Sequence, residues 1–255
     1  MKSGVMPIHN EQDYLPFSLA SILNAELDEL VVVLDKCTDN SKNIILNFAD
    51  RVSYKVRIIE LTERFWRYRT AEPFSLGFSN AKGEIVYSLA GDCIYDPRIF
   101  EIDWSDIEVA SFHYFDYCLY GTLKEKLKTN WFNFYKWLKN IVFSKLTKKP
   151  RLCGIYGFKK YVFEEIGISR DVMSEDVWFL RQARKRKFKY RYFPDFYNLH
   201  LRPGTLNLEW KHFMQGEARV TLNYPLWKVI GNTVITMRPN ILRGYLSAKR
   251  KRDYG

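Results

Sequence analysis

Apolar and polar positions in the first hundred residues alternate between two periods. Val5 to Ile8 is a short apolar run that reads as a strand. Tyr14 to Leu23 then repeats apolar residues at helical spacing (Leu15, Leu19, Ile22, Leu23) behind polar Asn10 to Asp13. Glu29-Leu30-Val31-Val32-Val33-Leu34-Asp35 is a continuous apolar run between two acids, the pattern of a strand buried on both faces. A polar loop follows, and its Thr38 to Ser41 segment predicts the cap of a helix through Ile44, Ile45 and Phe48. Val56 to Leu61 predicts a third strand, Phe78 to Lys82 a helix broken at Gly83, and Glu84 to Leu89 a fourth strand. Strands alternating with helices predict an α/β fold, a mostly parallel sheet flanked by helices.

The second half has a different pattern. Ile107 to Tyr120 reads as β, with Val109, Phe112, Tyr114 and Phe115. Trp131 to Lys145 reads as a helix with one aromatic-aliphatic stripe (Trp131, Phe134, Leu138, Ile141) and lysines elsewhere. That stripe suits a membrane interface or a lid packed over the sheet, and the pattern does not choose. Gly154 to Gly167 is a strand-to-helix passage, Glu175 to Arg186 a helix, and Tyr190 to Phe193 a strand. The stretch after Tyr224 is less regular and ends in Lys249-Arg250-Lys251-Arg252. No repeat or low-complexity linker interrupts the chain.

Composition narrows the class. A chain of 255 residues suits one α/β domain with a small appended lobe, and 47% hydrophobic content excludes a disordered protein. The formal charge of +11, from 40 Lys and Arg against 29 Asp and Glu, suits nucleotide phosphates, anionic lipid head groups or nucleic acid. Cys37, Cys93, Cys118 and Cys153 have no ligand-like spacing, which predicts free thiols in a reducing cytoplasm. There is no secretory leader and no apolar run of about 20 residues, the length a spanning helix needs. The expected location is cytoplasmic, with a peripheral position on the inner face of the membrane.

Several polar positions fall where chemistry is expected. Ser88 to Pro97 opens from an apolar strand into Asp92, at the strand mouth where open α/β sheets bind ligands. Glu11 follows the first strand, and Asp35 and Asp39 flank the loop after the second. Parallel strands would gather these acids on one rim suited to a base, a ribose and a metal-bound diphosphate. Asp39 also reads as a helix cap and Asp35 as a strand terminator. Ser174 reads as an N-cap that puts Glu175 and Asp176 in a first helical turn, where the helix dipole would keep Asp176 ionised as a general base. First-turn acids also simply favour helix starts. His200, just past the last predicted strand, reads as a metal ligand beside Asp92 or as an ordinary surface histidine. The basic run Arg181 to Arg191 reads as a solvated helix end and strand rather than a reader of nucleic acid.

In this order the segments resemble a family 2 glycosyltransferase of the GT-A fold. Pro7-Ile8-His9-Asn10-Glu11 resembles the family's P-x-x-N-E opening, and Val33 to Ser41 its V-x-D-x-S-T-D-x-S/T loop. Gly77 to Ile85 resembles the G-x-x-x-A-x-G-E helix, Gly154 to Gly167 the acceptor-side glycine passage, and Ser174-Glu175-Asp176 the E-D helix start. The resemblance implies that Pro7, His9, Glu11, Asp35, Asp39, Asp92 and Glu175 hold a nucleotide-diphosphate sugar. Asp92, with His200, would bind Mn²⁺ or Mg²⁺, and Asp176 would deprotonate the acceptor hydroxyl for an inverting displacement. The acceptor would be a glycan, a lipid-linked group or a protein, with contact to an anionic membrane and no nucleic acid.

The implied layout is a GT-A domain over 1–205, with a nucleotide-binding half at 1–100 and an acceptor half at 101–205, then a small helical, basic extension at 206–255. One departure is that Ala90 stands where the family usually has the first acid of Asp-x-Asp. A degenerate, non-catalytic member or a basic nucleic-acid-binding protein are the alternatives. A nucleotidyltransferase would carry a Gly-rich phosphate loop where this chain has Pro7 to Glu11. Trp210 to Arg219 faintly resembles the Q-x-x-R-W element of processive members but lacks the tryptophan after Arg219, which fits addition of a single sugar better; the stretch reads first as a surface helix with an Arg-Glu pair.

Overall fold

A computed structural model describes residues 1–66, 70–147, 154–170, 174–202, 209–236 and 238–254. Side chains of 139–147, 211 and 252–254 fall outside this description.

The first half follows the predicted alternation: β1 (Lys2–Ile8), α1 (Leu15–Ser21), β2 (Glu29–Asp35), α2 (Ser41–Ala49), β3 (Lys55–Leu61), α3 (Ala71–Asn80) and β4 (Ile85–Ser88). Every residue of β2 is buried, as its unbroken apolar run requires. The helix α3 starts seven residues before the predicted Phe78. Pro73 in its first turn removes no intrahelical hydrogen bond, so the proline that reads as a breaker is tolerated there. Its start is tied down by Glu72, which accepts from the backbone N–H groups of Phe65 at 2.9 Å and Trp66 at 3.0 Å.

The second half contributes β5 (Cys93–Ile94), a 3₁₀ turn at Pro97–Phe100, β6 (Val109–Asp116), α4 (Leu123–Thr147), β7 (Ile155–Lys159), α5 (Lys160–Ile166), α6 (Glu175–Lys185) and β8 (Tyr190–His200). These strands extend one sheet of order β3-β2-β1-β4-β7-β6-β8-β5. Pairings of β1 with β2 and β4, β2 with β3, and β6 with β8 are parallel, whereas β7 runs antiparallel to both β4 and β6, and β5 to β8. The sheet is therefore mixed, with β3-β2-β1-β4 a continuous parallel block and β6-β8 a second parallel pair. One core cluster, around Met6, Val32, Tyr87 and Phe112, fills one side of it, and a second, around Val5, Phe78, Phe158 and Phe179, fills the other.

Two expectations need correction. The strand predicted over Tyr190–Phe193 continues to His200, so His200 ends a strand instead of lying in a loop. Pro194 and Asp195 interrupt the alternation that would have shown this, and they coincide with a register shift: Phe112 pairs with Phe193, but Tyr114 pairs with Asn198. The stretch after Tyr224 is also regular. Following α7 (Glu209–Thr221) it forms α8 (Leu226–Thr236) and α9 (Pro239–Tyr254). Val220, Val229, Ile241 and Tyr245 make their small core. Gly216 and Gly244 let α7 and α9 cross backbone to backbone, since a Cβ on either would run into main-chain atoms of the other helix.

Candidate functional site

The first two parallel strands end in loops that are stitched to each other. Asn10 and Lys36 turn the chain with φ of 54° and 51°. Asn10 Oδ1 accepts from the Thr38 N–H at 2.8 Å, Ser41 Oγ from the Glu11 N–H at 2.9 Å, and Gln12 Oε1 from the Asn40 N–H at 3.0 Å. Asp39 completes the seam, accepting from the N–H groups of Gln12 and Ser41, each at 3.0 Å. Burial raises its pKa, but these hydrogen bonds outweigh that and leave it below the ordinary value.

Asp35 is buried and carries Arg64, whose Nε donates at 2.5 Å while a second guanidinium nitrogen pairs with the other carboxylate oxygen. His9 Nδ1 lies 2.6 Å from the Asp35 carbonyl. Pro7 sits within β1, opposite Val33. It has the strand parity of Val5, whose carbonyl accepts from the Leu89 N–H at 2.9 Å. Its missing N–H thus faces the side where pairing with β4 has already ended at Val5, so the sheet loses no hydrogen bond there.

The rim at Asp92 is built by sheet pairing. The strand β8 lies between β6 and β5, so His200 pairs with Asp116 on one side and Cys93 on the other. The Leu201 N–H donates to the Asp92 carbonyl at 2.7 Å and fixes the turn. As a result His200 Nε2 stands 3.4 Å from Asp92 Oδ2, and its Nδ1 stands 2.9 Å from Asp116 Oδ1. The other Asp116 oxygen pairs with Lys136 of α4. Burial works against charge on His200, but Asp92 and Asp116 overcome it and raise its pKa to about 9. One ligand atom from each of Asp92, Cys93 and His200 lies within 4.8 Å of the others. Burial pushes the Cys93 thiol well above its ordinary pKa, so it offers an S–H rather than a thiolate.

Glu11 reaches the same rim through Arg202, whose guanidinium pairs with Glu11, lies 3.7 Å from Asp92 Oδ2 through Nε, and stacks 4.8 Å above the Tyr14 ring. Gly91 permits this approach: a Cβ there would stand 2.8 Å from Ile8 Cδ1 and 3.4 Å from Glu11 Cβ. Ala90 is held by the Tyr95 hydroxyl, which contacts both its N–H and, at 2.9 Å, its carbonyl.

The pair at the start of α6 sits beside β7. Because Tyr156 pairs with Ser88, the beginning of β7 adjoins the end of β4, on the edge that carries Asp92. A Cβ on Gly154 would stand 2.9 Å from Asp176 Oδ2, so the glycine leaves room for that carboxylate. Glu175 is buried and accepts from the Thr70 hydroxyl at 2.6 Å, joining the starts of α6 and α3. Burial, then the Asp176 charge, raises Glu175 to about pKa 8, and burial raises Asp176 as well. Burial thus works against the helix dipole at Asp176 and raises its pKa above the ordinary carboxylate value. Ser174 makes no side-chain cap. The first acids of α6 are not surface caps.

The residues missed in the sequence are Arg64, Asp116, Lys136 and Arg202. Asp116 closes a strand as Asp35 does, and Arg202 has the parity of His200, so both left a signal. Arg64 and Lys136 left none, because only the folded chain brings them to their carboxylates. The basic run Arg181–Arg191 is largely engaged: Arg181 donates to the Leu222 carbonyl at 2.8 Å, and Arg184 stacks on Tyr190.

This mixed α/β sheet flanked by helices, with acids at its strand mouths, is the GT-A glycosyltransferase fold, and similar solved structures agree. The mannosyltransferase PcManGT from Pyrobaculum calidifontis, in complex with GDP-Man and Mn²⁺, superposes with a TM-score of 0.63 at 17% identity, over 100% of this chain and 75% of that one. Glucosyl-3-phosphoglycerate synthase from Mycobacterium tuberculosis, with Mn²⁺, UDP and glucosyl-3-phosphoglycerate, gives 0.59 at 16% identity over 87% and 78%. S. aureus TarS 1-349 with UDP-GlcNAc gives 0.58 at 14% identity over 84% and 65%. No curated protein matches the chain in sequence. The model of glycosyl transferase family 2 matches residues 3–167, and the chain belongs to that family; it is a glycosyltransferase.

Proposed function

We propose that this enzyme transfers one sugar from a nucleotide-diphosphate sugar to an acceptor hydroxyl with inversion, using Asp176 as the base. The observation that carries this reading is the pairing of β4 with β7, which brings the Gly154–Asp176 contact to the same sheet edge as Asp92 and His200. A carboxylate whose pKa burial has raised is a stronger base than an exposed one, which suits removal of a hydroxyl proton. The acceptor oxygen would bond to the anomeric carbon as its proton passes to Asp176. The bond from that carbon to the diphosphate oxygen would break, and its electron pair would leave with the nucleotide.

The donor set suits a hard divalent cation. Asp92 offers oxygen, and His200, with Nδ1 turned to Asp116, would present Nε2 as the ligating nitrogen once a cation displaces the proton that Asp92 and Asp116 stabilise there. Mn²⁺ or Mg²⁺ held there would neutralise charge on the departing diphosphate. Cys93 as a thiol adds nothing to that set. Arg202, between Glu11 and Asp92, supplies a fixed cation on the same rim, and so offsets in part the acid that Ala90 lacks. Pro7, His9, Glu11, Asp35 and Asp39 would shape the nucleoside pocket, chiefly by holding its two loops and Arg64 in place. Glu175 would act on the donor through position rather than by touching it, since its carboxyl is spent on Thr70.

On this reading residues 1–100 take the donor, 101–205 the acceptor, and 206–255 form the extension. The acceptor is a glycan, a lipid-linked group or a protein. A peripheral contact with an anionic membrane belongs to the same reading, supported by α4, where Trp131, Phe134 and Leu138 of the apolar stripe are exposed rather than packed over the sheet. Among the described residues no helix is long and apolar enough to cross a membrane. The test is Asp176→Asn, assayed by release of nucleotide in the presence of acceptor and by donor binding. Loss of transfer with donor binding intact is expected; sustained turnover would remove Asp176 as the base.

A further inference from the structure

One buried arginine keeps part of its guanidinium without a hydrogen bond among the described residues. Arg238, at the junction of α8 and α9, is 6% exposed, and its Nε and Nη2 have no hydrogen-bond partner. Its guanidinium lies 4.9 Å over the Phe132 ring, and that ring also carries Lys136 at 4.8 Å. The charge of Asp116 favours Arg238, but that carboxylate is already spent on His200 and Lys136. A second cation adds to the problem: burial, then the charge of Arg238, lowers the pKa of Lys128. Lys128 and Arg238 line one small cavity with Trp131, Phe132, Tyr135 and Ile235, between α4 and the end of α8. Two like charges in an aromatic pocket raise the energy of the free protein, and an anion entering between them would relieve it.

The surroundings say which anion. On α4, Leu127, Trp131, Phe134 and Trp137 are exposed, and on α8, Trp227, Ile230, Val234 and Ile235 are exposed. Of these, Trp131 and Ile235 line the cavity itself, so each helix brings an exposed apolar side chain to the pocket. A soluble anion would leave those side chains in water. An anionic phospholipid would put its phosphate against Arg238 and Lys128, and the surrounding bilayer would take up Trp131, Val234 and Trp227 at its interface. We propose that the cleft between α4 and α8 is a headgroup site through which the enzyme docks on an anionic phospholipid bilayer. One aromatic ring, Phe132, then separates the bound phosphate from Lys136 and the Asp116–His200–Asp92 series, so the transfer rim would sit at the membrane surface. This deepens the membrane contact of the reading above. It is tested without donor or acceptor, so its failure and that of the transferase reading are separable.

The test is flotation of the full chain with vesicles of phosphatidylcholine alone and of phosphatidylcholine with phosphatidylglycerol. The wild type should prefer the anionic vesicles by roughly thirtyfold, the sum expected for two basic side chains at an anionic surface. The double variant K128Q/R238Q should fall to the level of neutral vesicles, while K249Q/R250Q/K251Q, which removes more charge from the C-terminal helix, should keep most of the preference. Trp131→Ala should weaken binding to both vesicle types. R238Q removes an unpartnered charge, so its unfolding temperature should hold or rise, which shows that lost binding is not lost folding. Equal binding of the wild type to both vesicles would overturn the proposal, as would a tail variant that loses the preference while the pocket variant keeps it. Heat stabilisation by inorganic phosphate that depends on Arg238, with no vesicle binding, would overturn the lipid assignment.

Discussion

The two ends of the candidate site treat their carboxylates in opposite ways. At the mouth of β2, Asp35 and Asp39 are fully engaged by the protein: Asp35 by Arg64, and Asp39 by two backbone N–H groups. At the start of α6, Glu175 and Asp176 are held together with no cation bonded to either among the described residues, and both pKa values rise. The first arrangement stabilises the fold and fixes loop shape. The second costs stability and stores basicity. These carboxylates thus divide into those bonded by the protein and those with no cation bonded to them among the described residues, the pair on which the proposed mechanism draws.

Mutations should expose the division. The largest effect on turnover should come from Asp176→Asn, about 10²–10⁴-fold in kcat, the range general-base catalysis supplies, with little change in unfolding temperature. Asp116→Asn should come next on the metal side. By releasing His200 Nδ1 it should weaken Mn²⁺ binding by about 10–100-fold, as measured by calorimetry on the protein without donor. Asp35→Ala should act on stability instead. Leaving Arg64 without its buried partner should cost about 3–5 kcal/mol in denaturant unfolding, and an equal loss from Asp176→Asn would erase the contrast.

Glu175 gives a pH test with a definite sign. Its carboxyl goes from an ordinary 4.5 to about 8 on folding, so between those values the folded chain keeps a proton that the unfolded chain releases. Stability should therefore fall as pH rises through that window, and Glu175→Gln should flatten the profile of unfolding temperature against pH. A profile rising over the same range would contradict the burial argument. The smallest effect belongs to Asp39→Ala, which loses the hydrogen bonds that start α2 and should cost about 1 kcal/mol.

The legibility of this chain in its sequence follows the same line. The strand at Glu29–Asp35 and the helix after it were readable because buried runs and polar loops are local signals. The register of β8 was not, because Pro194 and Asp195 mask a bulge that only pairing with β6 reveals. At the site, residue types at strand mouths pointed to Asp92 and His200, and the order of the motifs to Asp176. Their environment was invisible: the pairing of Asp116 with Lys136 and of Asp35 with Arg64 joins residues about twenty or more positions apart. That is why the rise in the Asp176 pKa could not be read from its place at a helix start. Propensity places acids at a helix start, but Gly154 beside Asp176 and Thr70 bonded to Glu175 come from distant parts of the chain.

The most direct measurement is a thermal-shift panel of UDP-, GDP- and dTDP-sugars with Mn²⁺, Mg²⁺ or EDTA, on the wild type and on Asp92→Ala. A donor at a hundred times its dissociation constant stabilises by about 2.7 kcal/mol, which for a chain of this size is a rise of roughly 5–10 °C. The account predicts that rise for one nucleotide class, abolished by EDTA and by Asp92→Ala. A rise of the same size in Asp92→Ala, or none with any donor, would contradict it.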